Sequence, residues 1–63
     1  MDDYSKDIKK LREKMLLTQE EFAKKMGVSF ETVNRWENGK HEPTIKAKRK
    51  IVQMTKNLED FNK

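Results

Sequence analysis

Few of the 63 residues are of the types that carry out covalent or metal chemistry. His41 is the single histidine and cysteine is absent. His41 and Glu42 together supply two adjacent ligands, too few for a metal site. Glu20 and Glu21 are the nearest pair of carboxylates, but neighbours on a helix point in different directions and cannot share one proton-transfer task. No nucleophile, general base or ligand set emerges, so the pattern argues against an enzyme and gives no cofactor site. What the chain does hold is charge. Between Lys24 and Lys50 lie 8 basic and 3 acidic residues, a net of +5, while the remainder has 7 basic and 8 acidic, a net of −1. A positive field concentrated in the middle suits a polyanion, although a lysine-rich solvated surface has the same composition.

The elements that must position this charge read as helices. The chain has one proline, two glycines and many Lys, Glu and Gln, with no alternating strand pattern. Tyr4, Ile8, Leu11 and Met15 share one face of a first helix beginning near Ser5 and closed off by Leu16 and Leu17. Thr18 with Glu21 forms a capping-box pattern, so a second helix is expected over Gln19–Met26. Gly27 can end it in the left-handed conformation, and Ser29 can cap a third helix from Phe30 to the "ENG" stretch, where Gly39 ends the run. Pro43 and Thr44 start a fourth, whose apolar stripe is Ala47, Ile51, Met54, Leu58 and Phe61, with fraying or a break expected near Lys56.

No linker, repeat or low-complexity tract divides the chain, and its length suits one small core. The expected organisation is a single domain over 1–63, with a C-terminal helical tail over about 55–63. The start "MDDYSKDIKK" lacks an apolar signal core, and no segment approaches the ~20 apolar residues of a membrane span. Together with the missing cysteine, this suggests a cytoplasmic protein with no membrane partner.

Spacing within Thr18–Lys40 is the most specific signal. Counting from Gln19, the small Ala23 comes four residues on, Gly27 eight, Val28 nine, Val33 fourteen and Trp36 seventeen. Two helices joined by a short glycine turn cross at an angle, and these residues suit their contact. Val33 and Trp36 share a face that can pin the third helix to the core, leaving its opposite face outward.

The stretches "LTQEEFA", "MGVS", "TVNRWENGK" and the following "EPT" resemble the Cro/repressor-type, or Xre, helix-turn-helix family of bacterial and phage DNA-binding proteins. The resemblance covers Ile8 to Met54. It implies an all-α, lambda-repressor-like bundle of four to five helices, with the helix-turn-helix over about 19–38 and the third helix entering the major groove of double-stranded DNA. Many family members continue into a fifth helix and a dimerisation or sensing region, a feature this sequence does not clearly carry.

On that resemblance the candidate base-reading face is Ser29, Phe30, Glu31, Thr32, Asn34 and Arg35. Arg35 suits guanine, and Asn34 suits adenine or a phosphate. Phe30 can pack on thymine methyls or fold back onto the protein. Glu31 can accept from cytosine N4 or simply repel phosphate. Gln19, at the start of helix two, is a phosphate candidate, as is Lys40; Lys14, Lys46 and Lys48 are further lysines on which the sequence does not decide. Arg12 and Glu37 occupy the positions of an internal ion pair in the family. Trp36 and Met26 read as core. The implied function is a small transcriptional regulator, in its simplest form a repressor on a palindromic operator bound as a homodimer. The alternative is an antitoxin or other interaction module that holds a protein partner through its apolar surface.

Overall fold

The computed structural model describes residues 4–61. Four α-helices follow one another: α1 (Tyr4–Lys14), α2 (Gln19–Met26), α3 (Phe30–Glu37) and α4 (Ile45–Phe61), with no strand among the described residues. The fold is all-α. Its core takes Ile8 and Leu11 from α1, Phe22, Ala23 and Met26 from α2, Val33 and Trp36 from α3, and Ala47 from α4. Phe22, Ile8 and Val33 are the largest side chains buried completely. Each contributes about 1.5–3 kcal/mol by leaving water. Tyr4, Met15, Leu17, Val28, Ile51, Met54 and Leu58 pack around them, half-buried.

Helices α1, α2 and α3 all stop with the same device, in which a residue in the left-handed conformation turns its own N–H and that of the next residue back onto free carbonyls. After α2, Gly27 (φ 73°) does this, with Val28 N–H bonding the Ala23 carbonyl at 3.0 Å. After α3, Gly39 (φ 71°) does so, with Lys40 N–H on the Arg35 carbonyl at 2.9 Å. After α1 the position falls to Leu16 (φ 58°), with Leu17 N–H on the Arg12 carbonyl at 3.2 Å. A leucine there carries about 1–2 kcal/mol of strain that glycine would not. Its side chain recovers little, being 90% exposed.

Helix α4 differs from the sequence expectation. It runs without a break past Lys56, because no glycine or proline interrupts residues 45–61 and because Ile51, Met54 and Leu58 keep one face on the core. Thr44 lies outside the helix as its cap, its hydroxyl accepting the Ala47 N–H at 3.2 Å. The side chain of Phe61, the last position of the expected stripe, lies outside the described residues. Helix α1 spans Tyr4–Lys14 among the described residues, which begin at Tyr4. No helix among the described residues is long and apolar enough to cross a membrane.

Candidate nucleic-acid interface

Helix α3 is two-sided. Val33 and Trp36, 0% and 3% exposed, fix one side against α1 and α2. The other side presents Phe30, Glu31, Asn34 and Arg35 to solvent, as the 3.6-residue period requires once the inner side is set. Ser29 caps the helix: its hydroxyl accepts the Thr32 N–H at 3.2 Å and lies 2.9 Å from the Thr32 hydroxyl. These two hydroxyls are thus engaged with each other in the free protein. Phe30 is 44% exposed, so its ring is available rather than folded away. Glu31 and Arg35 approach to 4.0 Å one turn apart, a loose pair between exposed side chains that is worth little to stability. Asn34 accepts a hydrogen bond from the Asn38 amide at 3.1 Å.

The placement of this face is set by a half-buried polar network. Arg12 donates from Nε to Glu37 Oε2 at 2.7 Å, from Nη2 to Glu37 Oε1 at 3.1 Å, and from Nη1 to the Leu17 carbonyl at 2.9 Å. The side chains are 16% and 5% exposed, so water screens the pair poorly. The hydrogen bond to Glu37 raises the Arg12 pKa further above its already high value, ahead of the opposing effect of burial. Gln19 completes the network, donating from Nε2 to Glu37 Oε1 at 3.1 Å. One carboxylate therefore ties the end of α1 and the start of α2 to the end of α3. Gln19 faces this network as well as the α2 N-terminus, leaving its amide oxygen and second N–H for an outside partner. The bond between Gln19 and Glu37 is not evident from sequence, because Glu37 already has its partner in Arg12.

At the start of α2 the capping box is closed in both directions. Glu21 accepts the Thr18 N–H at 2.8 Å, and Thr18 Oγ1 accepts the Glu21 N–H at 3.1 Å. The bond from the Thr18 backbone, followed by that from its hydroxyl, holds the Glu21 carboxyl below its ordinary pKa of 4.5. First-turn N–H groups without a helical partner are the ones at which a helix favours an anion.

The lysines divide. Lys40 is exposed in the turn after α3, while Lys14 and Lys46 are exposed at the end of α1 and the start of α4. Lys48 is engaged elsewhere: its Nζ lies 4.4 Å from the Tyr4 ring centre and 3.2 Å from Glu42. Tyr4 first and Glu42 second raise its pKa, so its charge serves the junction of α1 and α4. Asn38 is the residue that sequence reasoning passed over. Its spacing of four from Asn34 was the available signal.

A bundle that buries one side of its third helix and leaves a polar side outward, beside a helix N-terminus, is the build of a helix-turn-helix DNA-binding domain. The helix-turn-helix family matches residues 8–56, and the chain belongs to it, in its Cro/repressor or Xre form. Two uncharacterized HTH-type transcriptional regulators of Archaeoglobus fulgidus are 45% and 43% identical to it over 47 residues, 75% of this chain and 66% and 67% of their own length. An uncharacterized HTH-type transcriptional regulator of Methanocaldococcus jannaschii is 49% identical over 37 residues, 59% of this chain and 56% of its own. The chain thus spans about two thirds of the Archaeoglobus relatives, and all three relatives are archaeal. No solved structure matches it. The family is one of DNA-binding transcriptional regulators and not of enzymes, and its ligand is double-stranded DNA.

Proposed function

We propose that the chain is a sequence-specific repressor, acting in the cytoplasm as a single domain, that seats α3 in the major groove of an operator. The exposed side of α3 carries this reading: Phe30, Glu31, Asn34 and Arg35 project from a helix whose opposite side is locked into the core. Ser29 and Thr32 border that face at its N-terminal end. Arg35 reads guanine through its forked donors, Phe30 meets thymine methyls, and Glu31 selects cytosine or excludes misplaced phosphates. Gln19 and Lys40 hold phosphates on either side, so affinity falls with salt while α3 supplies the specificity. Two copies on a twofold axis read half-sites one helical turn apart and exclude polymerase by occupying the promoter.

Selection of bound duplexes from a random pool tests this. An enriched inverted repeat with half-site centres about 10 base pairs apart is expected. A folded protein that enriches no motif rules the reading out. One observation favours a second reading, a module that holds a partner protein. A groove of about 630 Å³ between α1 and α4 has Ile8, Leu11, Ile51 and Leu58 along its floor and Val52, 65% exposed, at its edge. Apolar surface of this kind suits a protein ligand and would serve an antitoxin as well as a dimer.

A further inference from the structure

We propose that Glu31 and Arg35 read one base pair together, accepting it when a keto base lies under Arg35 and an amino base under Glu31. The inference rests on the reading of α3 as the base-reading helix and assigns Glu31 to a base rather than to the exclusion of phosphate. The two residues stand one turn apart on the exposed side of α3, and their charged ends converge: Arg35 Nη2 lies 4.0 Å from Glu31 Oε2. A helix advances about 5.4 Å per turn and DNA about 3.4 Å per base pair, so side chains extended straight out from successive turns reach different base pairs. Convergence brings both ends within reach of one. The contact uses up neither group. A guanidinium has five N–H donors and a carboxylate about four acceptor sites, so each keeps capacity for a base while it touches the other. Their roles are also fixed by charge: the guanidinium only donates and the carboxylate only accepts.

In the major groove guanine shows two acceptors, N7 and O6, and its partner cytosine shows the N4 donor beside them. Guanine under Arg35 with cytosine under Glu31 therefore satisfies both side chains. Thymine under Arg35 with adenine under Glu31 also satisfies both, through O4 and N6, with one bond fewer to Arg35. Adenine under Arg35 sets its N6 donor beside the guanidinium and the thymine O4 acceptor against the carboxylate. Cytosine under Arg35 turns N4 toward the guanidinium and both guanine acceptors toward the carboxylate, so neither side chain finds a partner. The order is G·C, then T·A, then A·T, then C·G, with the base under Arg35 named first. Arg35 alone does not separate T·A from A·T, because each offers it one acceptor. Glu31 makes that distinction.

The test selects bound duplexes with wild type, Arg35→Ala and Glu31→Ala, and compares base preference position by position. Both side chains are exposed, so both variants should fold, and circular dichroism checks this. The two substitutions are expected to weaken preference at one and the same base pair. Wild type should prefer G·C there, with T·A about fivefold to tenfold lower and C·G about a hundredfold lower. Glu31→Ala should close the gap between T·A and A·T and raise C·G by about tenfold, while binding mixed-sequence duplex more tightly because a negative charge has left the groove. Arg35→Ala should weaken binding to every duplex and lose the advantage of G·C over T·A. Effects of the two substitutions at different base pairs, or a wild type that accepts C·G as readily as T·A, would overturn the proposal. So would a Glu31→Ala protein that binds all sequences more tightly with every preference unchanged, since Glu31 would then only repel phosphate. Failure of wild type to enrich any motif is a different result and overturns operator binding itself.

Discussion

Replacing Arg12 by alanine should cost more than any other single polar substitution among the described side chains. The mutation removes all three hydrogen bonds of the guanidinium and leaves the Glu37 carboxylate, 5% exposed, with only Gln19 as a donor. Removing one partner of a buried pair costs about 3–5 kcal/mol, because the remaining charge keeps its desolvation penalty. Arg12 itself is 16% exposed, so the lower end, about 3 kcal/mol, applies here. A domain of 63 residues has roughly 3–9 kcal/mol in total. The variant should thus melt about 12–24 °C below wild type, or be partly unfolded at room temperature. Thermal and urea unfolding followed by circular dichroism measures this. Arg12→Met combined with Glu37→Met should be more stable than Arg12→Ala, since no charge is left stranded. A loss below about 1 kcal/mol for Arg12→Ala, or a double variant worse than the sum of its single changes, would refute the argument that the half-buried Glu37 carboxylate organises the three helix ends.

Leu16→Gly should raise stability by about 0.5–1 kcal/mol in urea unfolding, because it relieves left-handed strain and gives up a side chain that packs on little. Gly27→Ala should do the reverse by about 1 kcal/mol; its new Cβ would meet no atom within 4 Å, so the cost is conformational alone. The Glu21 carboxyl has a lowered pKa in the folded state, so its contribution is present above the ordinary value of 4.5 and is lost as pH falls from there through the folded value. An NMR titration of its side-chain carbon should show a midpoint below 4.5, and Thr18→Ala should move that midpoint upward. On the selected duplex, Arg35→Ala should lose about 1–3 kcal/mol and relax preference at one base, while Lys40→Ala should weaken all sequences alike and flatten the salt slope by about 1.

Helix positions were legible where a local rule had a single carrier. Thr18 with Glu21 marked the start of α2, and Gly27 its end, because capping boxes and left-handed glycines act within a few residues. The end of α1 was less legible, since its left-handed position is held by Leu16, a residue type that gives no such signal. Continuity of α4 past Lys56 depends on Met54 and Leu58 lying on the core, a tertiary fact that periodicity suggests without fixing the length. In the site, the exposed side of α3 followed from the inward spacing of Val33 and Trp36. How its side chains pair did not follow, because the contact of Asn34 with Asn38 depends on rotamers and that of Gln19 with Glu37 on a helix crossing that joins residues 18 apart in sequence.

The measurement that bears most directly on the central claim is a titration of nitrogen-labelled protein with the selected duplex, following each backbone amide by NMR. Binding through α3 predicts the largest shifts at Gln19, at residues 29–35 and at Lys40, with the amides of Ile51, Val52 and Thr55 beside the groove changing little. Shifts centred on that groove with α3 unaffected, or no shifts at all on adding duplex, would contradict it.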